Sequence, residues 1–337
     1  MLESINYTIS AHDLLYNPET PLRLRRMREA GVTHIWLTGY YFGRHESDPE
    51  ELYRARKLVL EEGFQTGVLS LPVGHPGNSL NPDDPTLDLA IARTWRYRVN
   101  SHGENAYFSA CVEDTMLRDN AAAAKEYAQM GFTQHFFDDD LRMGNLGDPT
   151  PGCFCDHCIA EFNRRINAAF TREQLAAAYG ADPAIHAAWD DYNCSKITRF
   201  MAETAVPGMH SGIMVMYTGG RAHGIDISAI RAAVPDCLFR VGEWHFSDKT
   251  YCAPGAKERL AQSIRGHMAL IGDNPAYSES TVFPAEALTP EHLLDKIRLE
   301  IALGLRNIFL MSGSWFISDP YWKLLKEEKE RLRELAE

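Results

Sequence analysis

The stretch Gln134–Cys158, QHFFDDDLRMGNLGDPTPGCFCDHC, opens as an apolar strand and ends that strand in three successive carboxylates, Asp138, Asp139 and Asp140. It then places three thiols, Cys153, Cys155 and Cys158, within six residues. An apolar strand that runs out into a polar loop and then a helix is one βα unit, and the chain on either side repeats it. With Gln134–Phe137, β-rich segments at Ile5–Thr8, His34–Thr38, Thr66–Leu71, Ile213–Tyr217, Leu238–Trp244, Ala276–Glu279 and Asn307–Met311 make eight strands. Between them lie stretches with helical spacing: Pro21–Ala30, Asp48–Glu62 and Asn120–Met130, each closed by glycine, then Thr171–Ala205, Asp226–Ala233, Ala256–Ala269 and Pro290–Leu305. Tyr321–Glu337, rich in Lys, Glu, Arg and Leu, reads as a terminal helix. Eight strands alternating with helices predict a (β/α)₈ TIM barrel, α/β in class, as a single domain over residues 1–337. A doubly wound sheet would bring a Gly-rich phosphate loop after its first strand, and TISAHDLLY contains none. Two long insertions, Val73–Glu104 after strand three and Met143–Gly152 after strand four, fall on the face where such barrels carry their chemistry.

Composition narrows the partners. A net charge of −12 argues against nucleic acid and against an anionic membrane, because both need basic surface. A neutral or cationic small molecule fits better. No apolar run reaches spanning length, and Leu2–Leu14 is broken by Glu3, Asn6, His12 and Asp13, so a soluble, cytoplasmic protein is expected. Seven cysteines, an odd number, suit reduced thiols and a metal better than a disulfide framework.

In a (β/α)₈ barrel the reacting groups sit at the carboxyl ends of the strands. Strand four ends in Asp138, Asp139 and Asp140. Strand six carries Glu243, Trp244 and His245, and strand alternation would set Glu243 and His245 on one face. Strand seven ends in Tyr277, Ser278 and Glu279, and strand eight runs into Ser312 and on to Trp315. Carboxylates from strands four and seven facing each other across the barrel mouth are what glycoside hydrolysis needs, one to protonate the leaving oxygen and one to attack or to activate water. Trp36, Tyr40, Tyr41, Trp244 and Trp315, near strand ends, could stack on a sugar ring. Blander roles compete: a strand-end carboxylate often caps a helix, and His245 could simply hold a loop. The C-x-C-x-x-C thiols can surround one zinc ion, with Cys111 or His157 as the fourth ligand, and a four-thiolate site leaves no position open for activated water, so the zinc is expected to be structural. Cys194, Cys237 and Cys252 have no such company and read as ordinary core or loop thiols.

The barrel pattern, a lone Cys111 before strand four, an acidic strand-four end and C-x-C-x-x-C opening a helix together resemble the β-galactosidases of glycoside hydrolase family 42, in clan A. The likeness is strongest from Cys111 to about Tyr192, where GCFCDHCIAEFNRRI and AAAYG occur. The resemblance implies a zinc site at Cys111, Cys153, Cys155 and Cys158. It implies an acid/base at Asp140 with Asp139 in the position of the family's Asn, and a nucleophile at Glu279. Asp140 stands where the family has Glu, so its carboxyl group is drawn back by about 1.5 Å. The expected activity is a glycosidase acting on a small glycoside or oligosaccharide, retaining by resemblance. Asp139, Arg142, Glu243 and His245 would contact sugar hydroxyls, with Trp244 and Trp315 as platforms. The family's trimer, which involves further domains, is not carried over, though a homo-oligomer is compatible. Two other readings use the same residues. Asp140, Glu243, His245 and Glu279 could hold Mg²⁺ or Mn²⁺ in a sugar isomerase or lyase, or the barrel could bind carbohydrate without turnover.

Overall fold

The computed structural model describes residues 1–74, 80–84, 91–138, 141–144, 148–215, 220–241, 244–311 and 317–337. Among them, eight parallel strands form the barrel: β1 Ser4–Ile9, β2 His34–Tyr41, β3 Gln65–Leu71, β4 Gln134–Phe137, β5 His210–Met214, β6 Leu238–Val241, β7 Ala276–Ser278 and β8 Asn307–Met311. Each pairs in parallel with the next, and β8 returns to β1 with Ser4 opposite Asn307, so the sheet closes and the barrel has no open edge. The (β/α)₈ expectation holds.

Side chains fill the interior. Trp36, Phe136, Tyr277 and Phe309 meet edge to face or tilted, with ring centroids 5.5–6.4 Å apart. Glycines on the intervening strands make room for this layer: a Cβ at Gly67 would meet Trp36, and one at Gly212 would meet Phe136, each at 2.5 Å. Trp36 is fully buried and donates from Nε1 to Asn6 Oδ1 at 2.9 Å. Trp36 is therefore a core residue and not a sugar platform, and the same correction applies to Tyr40.

Helix starts follow Asp-Pro and Thr-Pro signals. Asp48 caps Pro49–Glu61 and Thr289 caps Pro290–Ala302, each accepting from a first-turn N–H. The expected single helix Thr171–Ala205 is two, Arg172–Ala181 and Pro183–Thr204. Pro183 has no N–H to continue the first helix, and extended Asp182 caps the second. Strand six stops at Val241, and Trp244 and His245 have φ of 80° and 66°. Strand alternation therefore does not reach His245. The insertion Val73–Glu104 is not wholly irregular, since Tyr97–Val99 pairs antiparallel with Asn105–Ala110.

Candidate active site and thiol cluster

Strand alternation builds the centre of the site. Phe136 on β4 and Tyr277 on β7 point inward, so the residues two further on, Asp138 and Glu279, emerge above the aromatic layer at the carboxyl ends of their strands. Between them stands Arg240 of β6. Its Nη1 donates to Asp138 Oδ2 at 2.8 Å and its Nη2 to Glu279 Oε1 at 2.9 Å, while its guanidinium lies over the Phe309 ring at 5.5 Å. Asp138 is 1% and Glu279 5% exposed. One guanidinium therefore bridges carboxylates from two strands inside the barrel. Burial pushes the Glu279 carboxyl above its ordinary value; Arg240 opposes the rise and Asp138 adds to it. The remaining oxygens, Asp138 Oδ1 and Glu279 Oε2, are buried without a hydrogen-bond partner among the described residues.

A second set of buried groups fixes the backbone around this triad. Lys296, in the helix after β7, donates from Nζ to the carbonyls of Glu279 (2.6 Å) and Trp244 (3.1 Å), tying the end of strand seven to the segment after strand six. Burial pulls its ammonium pKa down. One turn on, Glu300 accepts from Ser280 Oγ at 2.5 Å, and burial pushes its carboxyl up to about 7.

Of the residues singled out in the sequence, Asp139, Asp140, Glu243 and Trp315 lie outside the described residues. Trp244 is 51% exposed. His245 is half-buried and its Nδ1 lies 3.0 Å from the Thr250 carbonyl, the loop-holding role weighed against a substrate contact; burial draws its pKa down. The Arg142 carbonyl accepts from buried Arg98, which joins the strand-four loop to the Tyr97–Val99 strand. Sequence reasoning missed Arg240, and among the three strand-four carboxylates it preferred Asp140 to Asp138. The signal for Asp138 was available in the parity it shares with inward Phe136; for Arg240 a lone cation in LFRV gave no hint of a partner.

The four thiols converge. Cys111, Cys153, Cys155 and Cys158 bring their sulfurs within 4.8 Å of one another, and Cys111 Sγ lies 3.5 Å from Cys158 Sγ. A tetrahedral zinc with Zn–S near 2.3 Å requires sulfurs about 3.8 Å apart, so the set fits such an ion with no further donor. His157 is exposed and stands outside the cluster. Lys196, buried beside the thiols, donates to the Val112 carbonyl at 3.1 Å and pairs with Glu161 at 3.2 Å. Its positive charge offsets the negative charge that thiolates would gather there.

No protein-family model matches this chain, and no curated protein is similar to it in sequence. Among solved structures it is similar to an alpha-galactosidase from Thermus thermophilus in complex with stachyose, at a TM-score of 0.49 and 14% identity, covering 100% of this chain and 65% of that one. It is also similar to SleL, the spore cortex-lytic enzyme of Bacillus cereus, at a TM-score of 0.52 and 10% identity, covering 97% of this chain and 74% of that one. The chain thus spans 65% of the galactosidase's length. The likeness to the cortex-lytic enzyme is one of fold.

Proposed function

We propose that this protein is a glycoside hydrolase acting on a small glycoside or oligosaccharide, with Glu279 as the carboxylate that attacks the anomeric carbon. The barrel hosts many chemistries, so the reading rests on the site and not on the fold. The observation that carries it is the Asp138–Arg240–Glu279 bridge. Arg240 holds Glu279 Oε1 and favours the charged form, while Oε2 has no partner among the described residues. A nucleophile needs one oxygen anchored and the other free. Asp140, two residues beyond Asp138, is the proposed acid/base, the role that the family 42 likeness assigns it. The four-cysteine cluster is proposed to hold a structural zinc, whose chemistry when bound is to cross-link the loop after β4 to the Cys111 segment.

A panel of aryl α- and β-glycosides tests this. Release of the aryl group by the parent protein is expected, with loss in both Glu279→Gln and Asp140→Asn. Equal release by parent and Glu279→Gln, or none from any glycoside, would overturn it. Glycoside binding by calorimetry without turnover would instead favour the non-catalytic reading, which the deep burial of Glu279 supports.

A further inference from the structure

Away from the barrel axis, a second set of side chains has the composition of a nucleophilic relay. Cys252 closes the short helix Asp248–Tyr251 in the segment after β6, and His292 lies in the first turn of Pro290–Ala302, the helix after β7. The Cys252 sulfur sits alongside the imidazole, 3.5 Å from Nε2 and 3.7 Å from Nδ1 of His292. Nδ1 also lies 2.8 Å from Asp248 Oδ1 and 3.0 Å from Thr289 Oγ1. Asp248 is held in turn by the Thr289 backbone N–H at 2.9 Å and by its hydroxyl at 3.3 Å. With the Asp248 carboxylate as acceptor, Nδ1 carries the proton and the Nε2 lone pair is left for the thiol. Cys252 is also the exposed one of the seven cysteines; Cys155 is half-buried and the rest are buried. Cys252 has no partner nearby along the chain, and the fold supplies one.

We propose that Cys252, His292 and Asp248 form a thiol site that exchanges with small, low-molecular-weight disulfides. His292 Nε2 takes the thiol proton, and the Cys252 thiolate attacks one sulfur of the disulfide. A new S–S bond forms to Cys252 as the old one breaks, and the departing thiolate takes the proton back from His292. The incoming disulfide is the oxidant. A solvent-facing sulfur suits such a small diffusing electrophile, because exchange requires only thiolate and access. Asp248 stabilises the imidazolium formed on the way. Among the described residues, charged or titratable groups near the triad include Tyr251, Lys257 and Asp295, with Tyr321 facing Asp248; Tyr251 and Lys257 both donate to Asp295 Oδ2, at 2.7 and 2.6 Å.

The test treats the full-length protein with glutathione disulfide from about pH 5 to about pH 9, below and above an ordinary thiol's pKa. The modified cysteine is mapped by peptide mass spectrometry and the rate is followed. Mixed disulfide at Cys252 is expected, none in Cys252→Ser, and about tenfold slower modification in His292→Asn at neutral pH. The rate of that variant should depend more steeply on pH than the parent's, since thiolate must then form without the neighbouring base. Modification at Cys252 with the same rate and pH profile in parent and His292→Asn would overturn the proposal, as would modification led by another cysteine. Should His292→Asn lose its fold by circular dichroism, Asp248→Asn makes the same comparison, and an unchanged rate there is equally fatal.

Discussion

Removing the Arg240 guanidinium would leave Asp138 and Glu279 buried near each other without the cation that bridges them, and Lys296 beside Glu279 as the remaining nearby positive charge. Losing one member of a buried ion-paired set destabilises a protein by about 3–5 kcal/mol. Arg240→Met should show a deficit of that order in urea titration at neutral pH, and a smaller one in acid, where the raised Glu279 carboxyl is protonated. An equal deficit at both pH values would mean that packing, not charge, is what was lost. Catalysis should respond separately. Burial already sets the Glu279 carboxyl above its ordinary 4.5, so the acidic limb of kcat/KM belongs above that value. Taking away Arg240, which favours the charged form, moves the limb further up. Glu279→Gln should lower kcat about a thousandfold or more, and should cost less stability than Arg240→Met, because Asp138 still pairs with Arg240 and the amide oxygen can still accept from it. The roles of single residues were only partly legible in the sequence: Glu279 stood out between two serines at a strand end, whereas Asp138 was one of three consecutive aspartates that nothing local tells apart.

Barrel strands and most helices could be read directly, because apolar runs of four to eight residues and Asp-Pro or Thr-Pro starts are local signals. Gln134–Phe137 and Asn307–Met311 coincide with the observed strands. What failed depends on tertiary context. β5 begins at His210, earlier than the apolar run suggests, because its register is set against Gln134 of β4. The Tyr97–Val99 strand is too short and too polar to announce itself. The thiol cluster belongs to this scale, since it brings the loop after β4 against the Cys111 segment. If it holds zinc, the purified protein should carry about one equivalent by elemental analysis. A strong chelator or Cys158→Ser should then lower the melting temperature, with the first protease cuts in the loop after β4. Protein without metal that melts at the same temperature with and without chelator would remove the zinc assignment.

Across the whole molecule, buried ionisable groups make stability depend on pH in both directions. Burial holds His135 down to about 3 and His223 to about 4, against an ordinary 6.5. Below 6.5 the unfolded chain therefore takes up protons that the folded chain refuses, and stability falls as pH falls toward 4 and 3. Glu300 has the opposite sign. Raised from 4.5 to about 7, it contributes stability that is full below 4.5 and lost as pH rises through 7. Melting temperatures measured across this range should therefore fall less steeply toward acid in His135→Gln than in the parent, and more steeply in Glu300→Gln. Parallel curves for all three would refute both assignments. The aromatic layer of Trp36, Phe136, Tyr277 and Phe309 stoppers the barrel directly below Asp138 and Glu279. With the base closed in this way, a sugar released in the proposed hydrolysis would back out through the mouth by which its parent came in. While it lingers it blocks the next arrival, and the released monosaccharide should act as a competitive inhibitor.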